Sequence, residues 1–380
     1  MSELNPERQE RAKQYARQRR QVWLLDMAFG GIFAAAWILA GWAVQLRDGL
    51  EAAGIQAEWL RIALFGAAFA GLYAAITLPL SYYRSFLLPH RFGQSTQTKR
   101  GWVIDQIKAI AVGAPIGLLM LELLYTALRL AGESWWIWVA AGMLVFSVLL
   151  ANLAPILIMP LFNKYVHLDE AHKDLAQRLM RLAERAKTRV RGVFKFDMSK
   201  RTRAANAALT GIGNTRRIIL GDTLIDEFSA DEIETILAHE LGHHVHRDIP
   251  LLIAFGTAVT TAGLYLAGLV HRWTIASLNL HGPADVAGLP LLMLILGAYG
   301  LVTMPLQNVL SRWREDLADR YALEATGRPD AFASAMKRLA NQNLAEANPA
   351  QWVVVLFYSH PPLADRIARA EGWRRSEKAR

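Results

Sequence analysis

Six long apolar runs constrain this chain more than any other feature. They lie at about Trp23–Leu46, Trp59–Tyr82, Ile107–Leu128, Trp135–Pro160, Leu251–Val270 and Leu289–Leu310. A helix needs roughly 20 mostly apolar residues to cross the hydrocarbon core of a bilayer, and each run has about that length. Of the 380 residues, 53% are hydrophobic. Gathered into six runs, they are hard to bury in a water-soluble bundle. Trp23, Trp42, Trp59, Trp102, Trp135 and Trp136 sit near run ends, as an interfacial aromatic belt requires. Residues 1–20 are polar and rich in Arg, and no small-residue cleavage site follows them. The first run therefore reads as a retained span, not a cleaved signal.

The formal net charge is +9. In a water-soluble chain that balance points first to nucleic acid. Here the basic residues flank apolar runs, so anionic lipid and topology account for them, and no nucleic-acid partner is expected. Arg8, Arg11, Lys13, Arg17, Arg19 and Arg20 precede the first run, and Arg84, Arg91, Lys99 and Arg100 follow the second. The alternate loops, Arg47–Glu58, Arg129–Ser134 and His271–Gly288, are short and poor in Lys and Arg. The positive-inside rule then puts both termini and residues 161–250 in the cytoplasm, in what we expect to be a bacterial inner membrane. The expected organisation is a four-span region at 1–160, a catalytic region at 161–250, two further spans at 251–310 and a C-terminal catalytic segment at 311–380. The two polar segments share one side and can build one site. Glu122, inside the third run, is expected to face a cavity or a partner and not lipid.

Cysteine is absent. That excludes disulfides, a thiol nucleophile and thiolate-bound zinc, so any metal must be held by His and carboxylates. His239-Glu240-Leu241-Gly242-His243 is an H-E-x-x-H motif. Ser229 and Glu232 form a candidate capping box ahead of it, and Ile233, Ile236 and Leu237 supply an apolar helix face. On a helix, residues four apart share a face, so both imidazoles can reach one ion with Glu240 beside them as general base. His246 shares that face but lies roughly 10 Å along the axis from His239, too far for one ion to meet all three. A metzincin continuation fails, because it needs Gly where the chain has His246 and His where it has Ile249. Glu315 is a better third ligand. Asp319 follows it by one helical turn, so Glu315 can bind metal while Asp319 accepts a hydrogen bond from a ligand imidazole. Taken alone, the same residues also read as a solvated, salt-bridged face.

Several ordered blocks then carry a resemblance. They are Leu-Pro-Leu-Ser-Tyr-Tyr at 78–83 continuing to Arg91-Phe92-Gly93, Pro160–Lys164, Asn206-Ala207 followed by Arg217–Leu224, His239–His243, Ser311-Arg312 with Glu315 and Asp319, and Tyr358–Leu363 with Arg366. From about Leu78 to Ile367 the chain resembles the type I CAAX prenyl protease family, integral-membrane zinc metalloproteases of the gluzincin type. The resemblance implies Glu315 as third zinc ligand and Asp319 as its supporting partner. It implies that His360 and Arg366 stabilise the oxyanion and hold the site together. It also implies that Asn206 holds substrate backbone, at the start of a hairpin with strands Asn206–Gly211 and Arg216–Leu220 and a turn at Gly213-Asn214. Heat-shock proteases of the HtpX-like class share the zinc motif but have fewer spans.

The chain departs from the family in three ways. Ala207-Ala208-Leu209 stands where aromatic residues are common. The block after Arg91 is looser than usual. Six spans are found where eukaryotic members have seven enclosing a chamber. The expected fold is a mainly α, polytopic membrane helical bundle of about six spans with a cytoplasmic zincin-type module containing a small β-hairpin or sheet. The expected function is a zinc metalloendopeptidase with one zinc ion per chain. Its substrates would be CAAX-like or other membrane-associated polypeptides, with protein quality control as a further role. The competing reading is a non-catalytic membrane scaffold or chaperone with a structural zinc, a role that has no use for Glu240.

Overall fold

A computed structural model describes residues 3–211 and 215–378. The first helix, α1 (Pro6–Leu39), starts well before the apolar run. The Asn5 side chain accepts from the Arg8 N–H and Pro6 takes the first turn, where its missing N–H costs nothing. The first span was expected to run on to Leu46. It ends instead at Leu39, because Gly41 adopts φ +68°. That left-handed conformation favours glycine and turns the chain into the short α2 (Trp42–Ala52). There Arg47 is buried against Asp285, so α2 is tied to the loop before the last span.

Next come α3 (Glu58–Tyr82) and α4 (Leu88–Arg91), joined by a π-turn at Tyr83–Leu87 into one rod. α5 (Lys99–Leu130) is capped by the Thr98 side chain, which accepts from the Gly101 N–H. α6 (Trp135–Leu153) and α7 (Met159–Phe162) are again joined by a π-turn, at Ala154–Ile158. After these rods the chain enters a mixed region of β1 (Tyr165–His167), α8 (Lys173–Arg185), β2 (Val193–Phe196), β3 (Ala207–Thr210), β4 (Arg217–Gly221), α9 (Asp222–Glu227) and α10 (Ala230–Val245). Two more long helices follow, α11 (Asp248–Thr274) and α12 (Leu289–Thr326), then α13 (Pro329–Gln342), α14 (Gln351–Phe357) and α15 (Leu363–Lys378).

Among the described residues, six rods are long and apolar enough to cross a membrane: Pro6–Leu39, Glu58–Arg91, Lys99–Leu130, Gly132–Phe162, Asp248–Thr274 and Val286–Thr326. In the third and fourth, none of the most apolar window is buried within the protein. Side chains such as Ile107, Ile110 and Trp138 point outward, and a surface of that kind is stable only against lipid. The fold is therefore a mainly helical membrane bundle with a small mixed sheet attached.

The sheet has the order β1-β2-β4-β3. β2 and β4 run parallel, and the outer strands pair antiparallel to them. The Ala207↔Leu220 to Thr210↔Arg217 register makes β3 and β4 a hairpin with β3 at the sheet edge. The expected Gly213-Asn214 turn lies outside the described residues. One core joins both polar segments: Leu179, Ile218, Leu220 and Leu237 from the first pack with Leu323, Phe332 and Ile367 from the second. α12 crosses residue 310 without a break, and ends only where Gly327 takes φ +60°. The Ser311–Asp319 stretch therefore belongs to the same helix as the sixth span.

Candidate active site

α10 opens with a complete capping box. Ser229 Oγ accepts from the Glu232 N–H, and the Glu232 carboxylate accepts from the Ser229 N–H at 2.8 Å. Ile233, Leu237 and Leu241 anchor one side of the helix in the core. That leaves His239, Glu240 and His243 along the side facing α12. The two imidazoles meet edge to face with ring centroids 4.8 Å apart, and their Nε2 atoms are 3.2 Å apart.

Gly242 lets α12 come close. A Cβ placed there would lie 2.9 Å from Ala318 Cα and 3.2 Å from its carbonyl oxygen. This approach brings Glu315 to the imidazoles. Its Oε2 is 3.2 Å from His239 Nε2, and its Oε1 is 3.4 Å from His243 Nε2. Oε2 is buried and has no hydrogen-bond partner among the described residues. A buried, unsatisfied carboxylate oxygen is costly unless a cation claims it. One ligand atom from each of the three residues lies within 4.8 Å of the others, close enough for all three to meet a single ion. His239, His243 and Glu315 thus form a group that could hold a metal ion.

A second layer stands behind each imidazole. His239 Nδ1 lies 2.9 Å from Asp319 Oδ1. Asp319 is fully buried and accepts from Arg366 Nε at 2.9 Å, from Arg366 Nη2 at 2.6 Å and from Arg369 Nη1 at 2.7 Å. Burial and the Arg366 charge lower the His239 pKa, but the contacts with Asp319 and Glu315 outweigh them and raise it to about 9. On the other side, His243 Nδ1 lies 2.7 Å from Asp248 Oδ2, and Asp248 Oδ1 accepts from Arg314 Nε at 2.6 Å. Burial pushes the Glu240 carboxyl above its ordinary range, against the pull of the neighbouring imidazoles.

His360 comes from the loop between α14 and α15. Its Nε2 is 3.2 Å from Glu315 Oε1, and its Nδ1 is 2.9 Å from Ser359 Oγ. α12 holds that loop: Arg312 donates to the carbonyls of Val354 and Tyr358, and Asn308 Nδ2 donates to that of Leu356 at 2.7 Å. The structure therefore brings His239, His243, Glu315, Asp319, His360 and Arg366 into one network, with Glu240 beside the imidazoles. Arg366 is buried behind His239, with its guanidinium committed to Asp319.

Asn206 is not in the network. It is exposed at the start of edge strand β3, where its carbonyl accepts from the Gly221 N–H at 2.9 Å. The preceding residue is held by Asn343, whose amide accepts from the Ala205 N–H and donates to its carbonyl. Glu122 Oε1 is buried with no hydrogen-bond partner among the described residues. Sequence reasoning gave no role to Asp248, Arg314 or Arg312. For Asp248 a signal was present: an acid five residues after the second motif histidine, at the first position of the next helix.

Residues 1–164 match the family model described as CAAX prenyl protease N-terminal, five membrane helices, and residues 169–374 match that of peptidase family M48. Within the first segment this chain has four long apolar rods plus the short α2. The chain is 28% identical over 364 residues to the uncharacterized metalloprotease YhfN of Bacillus subtilis, covering 95% of this chain and 84% of that one. It is 30% identical over 327 residues to CAAX prenyl protease 1 of Saccharomyces cerevisiae, covering 79% and 70%. The crystal structure of S. mikatae Ste24p matches with a TM-score of 0.84 over 97% of this chain and 91% of that chain. At 23% identity, that likeness speaks for the fold. Helical bundle, zinc motif and carboxylate cluster together define an integral-membrane metalloprotease. The chain belongs to peptidase family M48, among the CAAX prenyl proteases. Membership implies a metal, zinc in general, and the His–His–Glu donor set suits it.

Proposed function

We propose that this protein is a membrane-embedded zinc endopeptidase that holds one zinc ion on His239, His243 and Glu315 and uses Glu240 as general base. The observation that carries the reading is the meeting of two imidazole Nε2 atoms 3.2 Å apart with the two oxygens of one carboxylate, Oε2 3.2 Å from His239 and Oε1 3.4 Å from His243, Oε2 being buried with no hydrogen-bond partner among the described residues. Zinc held there supplies Lewis acidity toward a peptide carbonyl and toward water. Glu240 takes the proton of the attacking water and delivers it to the leaving amine. His360, on an exposed loop beside Glu315, donates a hydrogen bond to the oxygen that gains negative charge. Asp319 fixes the His239 tautomer, and Arg366 positions Asp319 without reaching the substrate.

The open edge of β3 suits an extended peptide added as a further strand, with Asn206 gripping its backbone. Residues 1–160 and 251–310 then form the membrane part, and residues 161–250 and 311–380 the catalytic part. The shared core of the two polar segments supports that division. The basic N-terminal helix and the basic connection after the second span favour a cytoplasmic site and cytoplasmic termini, in a bacterial inner membrane. Substrates are CAAX-like or other membrane-associated polypeptides, including damaged ones. A scaffold with a structural zinc would leave Glu240 without a task. The deciding experiment is cleavage of a quenched fluorescent peptide by purified protein beside Glu240→Gln. Zinc retained with turnover lost supports the protease. Equal turnover in both would remove Glu240 from the reaction.

A further inference from the structure

Each motif imidazole has its own buried Asp–Arg pair behind it. The pair behind His239 joins α12 to α15. The pair behind His243 joins the first residue of α11 to α12, and nothing in the motif calls for it. Asp248 and Arg314 are 2% and 7% exposed. Arg314 donates to Asp248 through both Nε and Nη2, and its Nη2 also reaches the His246 carbonyl at 2.9 Å. One guanidinium thus grips the chain on both sides of Arg247. That residue sits at φ +55°, an uncommon place for a non-glycine residue. Such a conformation costs energy and persists only where its surroundings over-determine it. Those surroundings fix the tight turn from α10 into α11, and with it the distance from Asp248 to the His243 ring.

We propose that Asp248 and Arg314 are a positioning pair for the metal centre. Asp248 accepts the Nδ1–H of His243, which leaves Nε2 bare and turned toward Glu315, and Arg314 locks Asp248 in that place. Arg314 and Glu315 are consecutive on α12, so one turn of that helix serves the site from two directions. The inference rests on the reading of His239, His243 and Glu315 as zinc ligands. Its rival is that the pair merely pins the turn.

The test uses the full-length protein in detergent, with zinc affinity measured by competition with a chromophoric chelator and melting measured on the metal-free protein. Asp248→Ala should weaken zinc binding about 10–100-fold, the usual cost of losing a carboxylate behind a ligand imidazole. It should also lower the melting temperature, because Arg314 is left buried and unpaired. The double variant Asp248→Ala/Arg314→Met removes that stranded charge. Melting should then recover while zinc affinity stays weak, a split that a purely structural pair would not give. Near-wild-type affinity in Asp248→Ala, or recovery of affinity together with melting in the double variant, would overturn the proposal. His243→Ala serves as control. Normal zinc binding there would overturn the ligand reading itself, and the pair with it.

Discussion

Gly242 and Ala318 mark the contact on which the site's geometry depends. A methyl group at 242 would press on the backbone of α12, within 3.2 Å of the Ala318 carbonyl oxygen. Gly242→Ala must therefore push α12 off α10 or distort one of them, at a cost of about 1–3 kcal/mol. Because Glu315 lies less than one turn from Ala318, the displacement acts on the His–His–Glu group. We expect reduced zinc content and a lower melting temperature, measured by elemental analysis and a thermal melt. Normal zinc content would show that the helix contact does not govern the site.

Zinc should bind once per chain and be lost or strongly weakened in His239→Ala, His243→Ala and Glu315→Ala. Elemental analysis of the purified variants checks this. Full occupancy in Glu315→Ala would remove that residue from the ligand set.

His360→Ala should keep its zinc and its melting temperature while kcat falls roughly 10²–10³-fold, the usual cost of one oxyanion donor. KM should change little, since the interaction forms in the transition state. A near-normal kcat with a depressed melting temperature would instead make His360 a loop-packing residue.

Topology can be tested in a chain that has no cysteine of its own. A cysteine placed at Ser277 should react with an impermeant reagent from the side opposite to one placed at Lys173. Labelling of both from the same side would break the proposed orientation.

The parts legible in the sequence were those with a period. Apolar runs gave the rods, and four-residue spacing put His239 with His243 and Glu315 with Asp319. The break at Gly41 was not legible, because the residues around it are apolar on both sides and hydropathy reads straight through a change of backbone direction. The continuation of α12 past Leu310 was hidden for the opposite reason: polarity changes there while the helix does not. Asp248 and Arg314 escaped notice because a charged residue at the end of a span is ordinarily read as a topology signal. Only the fold reveals that these two charges face each other inward. The proximity of His360 to Glu315 was reachable through the family resemblance alone, since no local pattern ties a loop histidine to a helix so far upstream.

The unbroken course of α12 ties the sixth span to the reaction centre. Its membrane stretch and the turn bearing Glu315 belong to one continuous helix, with Pro305 inside it between the two. Helices commonly answer a thinner bilayer by tilting. Here the close contact of Gly242 with Ala318 holds the Glu315 turn against the helix that carries the two imidazoles. A change in the tilt of the sixth span would therefore reach the Glu315 turn only through the Pro305 segment of the same helix.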